Sequence, residues 1–262
     1  KLNMIAQKRS KTNSGLINFF EKIIRHHPLV YYIARNFIRY TNIFEEDANG
    51  VSYLNFDNKI NIIDVGASDG IATKFFCKKL NVNKIFCFEP NNSYVEILKK
   101  SNIKNLIVKP YAIGNKNTYK KIYFPRYKFL SKNLDLIPYT YYDKKTLLKQ
   151  IQLDFKYNNN LKIVEKNLKI RKIDKINSKI DFVKIDVNDN GLSVIKCLNK
   201  IIYRDKPAVL IETDFDIYQV ANELKKYGYE KFSFSNSRKK FSKIKNKYPL
   251  NTYFLQKKHL SK

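Results

Sequence analysis

The chemistry of this chain concentrates at the end of its strongest strand pattern, where Ile62-Ile63 runs into Asp64-Val65-Gly66-Ala67-Ser68-Asp69-Gly70. Two of the chain's 7 glycines fall in this D-x-G-x-x-x-G turn. A glycine-rich strand-to-helix turn brings backbone close to a ligand and points the next helix's N-terminus at it. The spacing differs from the G-x-G-x-x-G of dinucleotide folds, and without the middle glycine there is less room for a pyrophosphate. Asp64 is also badly placed beside phosphates. It suits a cationic ligand such as S-adenosylmethionine, which carries a sulfonium and an ammonium group. A second strand ends in Phe86-Cys87-Phe88-Glu89-Pro90. An acid there, 19 residues past Gly70, can accept hydrogen bonds from both hydroxyls of a ribose. The plainer reading of these residues is a structural glycine turn and a surface glutamate.

More carboxylates stand at later strand ends. Asp186 ends the strand-like Asp181–Ile185, and Glu212 and Asp214 end Ala208–Ile211. Open α/β sheets bind ligands beyond the carboxyl ends of their strands, so these three can face one another across neighbouring strands. Together they can bind Mg²⁺, which would acidify a bound hydroxyl. Alternatively one of them serves as a general base, or Glu212 and Asp214 only cap a helix. Histidine, the commonest base, occurs at His26, His27 and His259, all outside these motifs. His26-His27 reads as a solvated helix end. Cys77, Cys87 and Cys197 show no CxxC spacing and read as small core residues, not disulfide partners or zinc ligands.

The elements that must position these residues alternate along the chain. Lys59–Val65, Lys84–Phe88, Leu106–Val108, Asp181–Ile185 and Ala208–Ile211 read as strands, with helical patterns over Ile71–Leu80, Ser93–Lys100, Leu192–Ile202 and Ile217–Tyr227. That rhythm predicts a mostly parallel sheet covered on both faces. Tyr229–Phe234 and Thr252–Gln256 have no long helix between them and predict an antiparallel edge. Before residue 51, apolar residues recur at helical spacing from Leu16 to Ile24, and Pro28 suits the first turn of a second helix. The expected division is a basic N-terminal helical extension over 1–50 and an α/β domain over 51–262. Within that domain, the Tyr- and Lys-rich stretch 125–160 breaks the rhythm and reads as an insertion: a substrate lid over the crevice, a binding loop, or disorder.

At this point the sequence resembles the class I methyltransferases that use S-adenosylmethionine, and within them the FkbM-type methyltransferases. Those carry a D-V-G-A-N-x-G turn, an F-E-P strand end, an A-[LI]-G segment and a K-I-D-V-E-G motif. Here the matching segments are Asp64–Gly70, Phe88-Glu89-Pro90, Ala112-Ile113-Gly114 and Lys184-Ile185-Asp186-Val187. The resemblance covers roughly residues 60–215. It implies a Rossmann-like, mostly parallel seven-stranded sheet with an antiparallel C-terminal edge. It also implies a cofactor pose: Gly66, Ala67, Ser68, Asp69 and Gly70 along the methionine portion and Glu89 with Pro90 at the ribose. The Tyr111-Ala112 backbone would meet the adenine edge, with Asn91 as a further neighbour. There is one departure. The family reads E-G-x-E after K-I-D-V, and this chain reads Asn188-Asp189-Asn190-Gly191.

The resemblance implies methyl transfer from S-adenosylmethionine to an oxygen, with a sugar hydroxyl in a glycan or lipid-linked precursor as acceptor. Asp186 and Glu212 are the candidate catalytic residues, and Asp186, Glu212 and Asp214 the candidate Mg²⁺ ligands. Two rivals stand beside this reading: an RNA methyltransferase, and an inactive methyltransferase-like scaffold. The net charge of +28, from 51 Lys+Arg against 23 Asp+Glu, suits an anionic partner. Only 8 of those cations are Arg, the residue that reads bases, so nucleic acid is the less favoured partner. The abundance of Lys, Asn, Ile, Tyr and Phe also matches AT-rich coding. Basic residues among the aromatics of Ser14–Tyr40 suit an anionic membrane surface or, more plainly, a helix pair packed on its own domain. With no signal-peptide pattern in Lys1–Gly15, the expected compartment is the cytoplasm, with peripheral attachment at the inner membrane face. Nothing in the sequence fixes an oligomeric state.

Overall fold

The structure, a computed structural model, describes residues 27–41, 45–56, 58–136, 139–155, 160–173, 175–188, 190–214 and 216–260. The helix expected over Leu16–Ile24 and the carboxylate of Asp189 lie outside the described residues. In chain order the first half contains α1 (Pro28–Thr41), a 3-10 turn (Glu46–Tyr53), β1 (Ile60–Val65), α2 (Ile71–Lys79), β2 (Val82–Phe88), α3 (Asn92–Lys99), β3 (Leu106–Lys109), β4 (Ala112–Ile113), β5 (Thr118–Phe129) and β6 (Lys132–Asp135). The second half contains α4 (Lys144–Asp154), β7 (Leu161–Arg171), β8 (Phe182–Ile185), α5 (Gly191–Cys197), α6 (Asn199–Asp205), β9 (Ala208–Glu212), α7 (Ile217–Lys225), β10 (Glu230–Ser235), β11 (Lys240–Lys243) and β12 (Asn251–Leu255). The chain forms two compact units, Asn42–Tyr119 with Leu168–Lys262, and Lys1–Thr41 with Lys120–Asn167. This grouping differs from a division at residue 50.

The larger unit is built on an eight-stranded sheet in the order β11-β10-β12-β9-β8-β1-β2-β3. Strands β9, β8, β1, β2 and β3 run parallel. The edge formed by β12, β10 and β11 is antiparallel. Seven strands were expected. The eighth is β11, whose one apolar residue, Phe241, gives no alternation to read; its pairing with β10 comes from the hairpin between them, where Lys239 takes a φ of 50°.

The central strand β1 is buried along its whole length, as a strand covered on both faces must be. Its alternate residues feed two cores. Ile63 and Val65 join Phe88, Val183, Ile185 and Ile211 beneath Val194, Ile202, Val220 and Leu224 of α5, α6 and α7. Ile62 joins Ile85, Phe182 and Leu210 beneath Phe75 and Phe76 of α2, together with Ala48 and Val51 of the 3-10 turn. That turn fits because Gly50 has no side chain: a Cβ there would stand 2.8 Å from the Tyr253 hydroxyl oxygen. Also in this unit, β4 pairs in parallel with Ile170-Arg171 of β7. The Gly114 amide donates to the Arg171 carbonyl at 2.9 Å, and the Lys172 amide to Asn117 Oδ1 at 3.1 Å.

The smaller unit has its own core of Leu136, Tyr139, Leu147, Ile151 and Phe155, with Tyr31 and Tyr32 of α1 packed on it. The Tyr31 ring meets Tyr139 and Phe155 edge-on at 5.3 and 6.0 Å between centroids. Stretch 125–160 is therefore largely structured. It continues β5 into a hairpin with β6 and then forms α4, whose N-terminus is capped by Asp143 accepting from the Thr146 amide at 2.7 Å. Arg126 Nε and Nη2 donate to the two carboxylate oxygens of Asp135 at 2.5 and 3.0 Å.

Candidate active site

Three strand ends knit the glycine turn. The Gly66 amide donates to the Phe88 carbonyl at the end of β2 (2.9 Å), and the Asp186 amide, just past β8, donates to the Val65 carbonyl (3.0 Å). Gly66 has a φ of +77°, and a Cβ on it would lie 2.0 Å from the Asp186 carbonyl oxygen. At Gly70 the φ is +81°, and a Cβ would lie 2.8 Å from Leu98 Cδ2 of α3. Both positions therefore combine a left-handed backbone with a contact that any side chain would fill. Ser68, between them, also has a positive φ of 51°.

Glu89 ties this turn to the next one. Its side chain is buried; Oε2 accepts from the Ser68 amide at 2.8 Å and Oε1 from the Asn91 amide at 2.7 Å. Burial pushes the carboxyl up to about 7, against the pull of those two backbone donors. A carboxylate oxygen has two acceptor sites, so each oxygen retains one for a ligand hydroxyl. Asn91 also caps α3, accepting from the Ser93 amide at 3.0 Å. Ala67 and Asp69 are buried, Pro90 and Asn91 half-buried. Tyr111 is buried with its ring 5.6 Å from that of Phe88, and Ala112 is half-buried beside it.

Asp64 was expected to meet a cationic ligand, and the cation it meets belongs to the chain itself. Asp64 has no exposed surface; its Oδ2 accepts from Thr73 Oγ1 at 2.7 Å, and its Oδ1 lies 3.4 Å from Lys184 Nζ. A ligand cannot touch it in this conformation. Lys184, on β8, is also buried and reaches Asp186 Oδ2 at 3.1 Å and the Gly66 carbonyl at 3.2 Å. Burial disfavours its charge, but Asp186 and Asp64 more than offset this and raise its pKa. Lys184 is thus an internal staple under the glycine turn.

Asp186 follows β8, with its side chain 42% exposed, and Glu212 ends β9. The expected Mg²⁺ triad does not form: among the described residues no three His, Cys, Asp or Glu side chains gather to hold a metal ion, and Asp186, Glu212 and Asp214 are all described. The strand ends that carry them are adjacent, but their carboxylates do not converge on one point.

Sequence reasoning missed two features. Glu45-Glu46-Asp47 reads as an acidic turn closing the N-terminal extension; instead Asn251 Nδ2, on β12, donates to Glu45 Oε2 at 2.6 Å and to Asp47 Oδ1 at 2.9 Å. Its one signal was three acids together in a chain poor in acids. The second is Asp216. Its Oδ2 accepts from the Leu192 amide at 2.7 Å, supplying a carboxylate to the N-terminus of α5, just after the segment where the family's acids are replaced. Away from the turn, two cavities of about 540 Å³ include neither Gly66–Gly70 nor Glu89. One of them contains His259, whose Nδ1 accepts from the Gln256 amide at 2.9 Å, leaving Nε2 to donate to the Lys206 carbonyl at 2.9 Å.

A family model described as the methyltransferase FkbM domain matches residues 64–231. No curated protein matches the chain. Among solved structures, a methyltransferase FkbM from Methylobacillus flagellatus KT is similar with a TM-score of 0.48 at 15% identity, over 77% of this chain and 45% of that one. The chain therefore spans less than half the length of that relative. A precorrin-6y C5,15-methyltransferase from Geobacter metallireducens GS-15 is similar with a TM-score of 0.38 at 12% identity, covering 79% and 84% of the two chains. M. capricolum TrmK, solved with S-adenosylhomocysteine, is similar with a TM-score of 0.37 at 11% identity, covering 81% and 67%.

Proposed function

Since this chain belongs to the FkbM methyltransferase family, we propose that it transfers a methyl group from S-adenosylmethionine to a hydroxyl oxygen, on a sugar of a glycan or lipid-linked precursor. The observation that carries the cofactor half is Glu89. It stands at a strand end with both oxygens fixed by backbone amides of the two flanking turns, beside a turn whose Gly66 and Gly70 are pressed against Asp186 and Leu98. That donor set fits a ribose and a close-lying amino-acid chain. When bound, the cofactor supplies a methyl group on a sulfonium. The chain's residues do the rest. Glu89 accepts from the ribose hydroxyls, Gly66–Gly70 give room to the methionine portion, and the Tyr111-Ala112 backbone meets the adenine edge. Asp186, half-exposed and paired with Lys184, is the carboxylate this reading offers to the acceptor. The lost E-G-x-E acids weaken the acceptor half less than the sequence suggests, because Asp216 brings a carboxylate to the same helix end.

Calorimetric titration with S-adenosylmethionine and S-adenosylhomocysteine tests this. Wild type is expected to bind both and Glu89→Ala to lose both. No binding by a folded wild type would leave the glycine turn architectural and the scaffold reading ahead. An acceptor screen over sugars and RNAs follows, because the +28 charge favours RNA as the second reading. Salt-sensitive RNA binding would support it. No described helix is long and apolar enough to cross a membrane. Peripheral binding through α1, where Ile33 and Phe37 are 58% and 64% exposed, is tested by liposome co-sedimentation.

A further inference from the structure

An acceptor hydroxyl must give up its proton, and no described histidine of the larger unit is set to take it. The ring of His259, the one described histidine of the larger unit, is held on both nitrogens by backbone groups. Asp186 is engaged by Lys184 at 3.1 Å. Glu45 is set differently. Asn251 is the register partner of Glu212, so it stands at the strand ends beside Asp186. Open α/β sheets bind their ligands beyond such ends. From there the Asn251 side-chain amide fixes Glu45 Oε2 at 2.6 Å and Asp47 Oδ1 at 2.9 Å, while its backbone amide fixes Asp47 Oδ2 at 3.1 Å. Glu45 Oε1 receives no hydrogen bond among the described residues.

We propose that Glu45 is the base that takes the acceptor's proton, with Asn251 and Asp47 as its positioning residues; this rests on the reading of the chain as an O-methyltransferase. The acceptor oxygen bonds to the methyl carbon with a lone pair. The carbon–sulfur bond breaks and its pair stays on sulfur. The hydroxyl proton passes to Glu45 Oε1, and solvent removes it later, so no further reagent is needed. The electrostatics agree. Burial pushes Glu45 up to about 7, the Asn251 hydrogen bond opposes this, Asp47 and Asp186 add repulsion, and Lys184 pulls the other way. A carboxylate poised there takes a proton more readily at neutral pH than a surface carboxylate does. Glu45 and Asn251 both lie outside the segment 64–231 that the family model matches.

S-adenosylmethionine and S-adenosylhomocysteine differ at sulfur by one methyl and one positive charge. A paired titration therefore reads how near Glu45 lies to the transferred methyl without needing an acceptor. The full chain, labelled with ¹³C at its glutamate carboxyls, is titrated from about pH 5 to about pH 9 while saturated with each ligand in turn. Glu45→Gln identifies the resonance. The expected midpoint is near 7 with S-adenosylhomocysteine, lower by about half a unit or more with S-adenosylmethionine, and higher in Asn251→Ala with either. Equal midpoints with both ligands bound overturn the proposal, and so does a midpoint at the ordinary value of 4.5. If calorimetry on the same sample finds neither ligand bound, the methyltransferase reading falls and takes this one with it. Glu45→Gln is expected to bind both ligands as wild type does; loss of that binding also overturns the proposal. With an acceptor from the screen, Glu45→Gln is expected to lower kcat about 100-fold or more.

Discussion

Lys184 is a buried cation whose two carboxylate neighbours differ: Asp64 is sealed, while Asp186 opens to the crevice. Removing the cation leaves Asp64 charged in the core with only Thr73 as donor. Lys184→Met should therefore cost about 3–5 kcal/mol in denaturant unfolding. Adding Asp64→Asn should recover much of that loss, because the pair is then removed together; no recovery would mean that Lys184 acts by packing. At Glu89 the sign runs through the ligand. Ribose hydroxyls donate to the anion, so binding favours the ionised acid. S-adenosylhomocysteine affinity should rise as pH rises through about 7, and in Glu89→Gln it should be weaker and flat with pH. Calorimetry at several pH values checks this. The glycine turn and Glu89 were legible because each is a short word in the chain. The Asp64–Lys184 pair was not, because its members stand on different strands, far apart in the chain.

Helix α5 begins at Gly191 with no side-chain cap from its own N-terminal residue, Asn190. Asp216, which precedes α7, does the capping from 24 positions away. Asp216→Ala should cost about 1 kcal/mol by thermal unfolding, and Asp216→Asn, which keeps the acceptor, considerably less. A cap lent by another element leaves no local pattern, so the sequence shows a lost motif where the fold has a replacement. Strands β1, β2, β8 and β9 were readable because a strand buried on both faces must be apolar throughout. The 3-10 turn was not: Gly50 matters because Phe234 and Tyr253 press on it from distant strands. Asn251, too, is one of 30 Asn in a chain rich in that residue, and it clamps a glutamate 206 positions away.

Across the larger unit, several buried or half-buried acids are shifted toward their neutral form. Glu45 and Glu89 both move from 4.5 to about 7, chiefly through burial. Their contribution to stability is fully present below 4.5 and is lost as pH rises through about 7. For well-buried Glu89 that loss is on the order of 3 kcal/mol. His259 works oppositely: burial moves it from 6.5 down to about 4, so its contribution is present above 6.5 and is lost as pH falls through about 4. Two acids outweigh one imidazole between those values. The unfolding temperature should therefore fall from about pH 5 to about pH 7, and Glu89→Gln should flatten the slope; a rise over that range in wild type would contradict the assignment. Self-repulsion from a net charge of +28 bears harder on the compact folded chain than on the expanded unfolded one and gives no local signal in the sequence. The chain leaves the larger unit after Tyr119 and returns at Leu168, yet Asn117 and Lys172 are hydrogen-bonded neighbours at 3.1 Å. Stretch 120–167, which forms the smaller unit together with 1–41, thus leaves and rejoins the larger unit's chain at neighbouring positions. Whatever replaces that stretch must also cover Tyr31 and Tyr32 of α1, which pack on its core, so the two segments of the smaller unit are bound to change together.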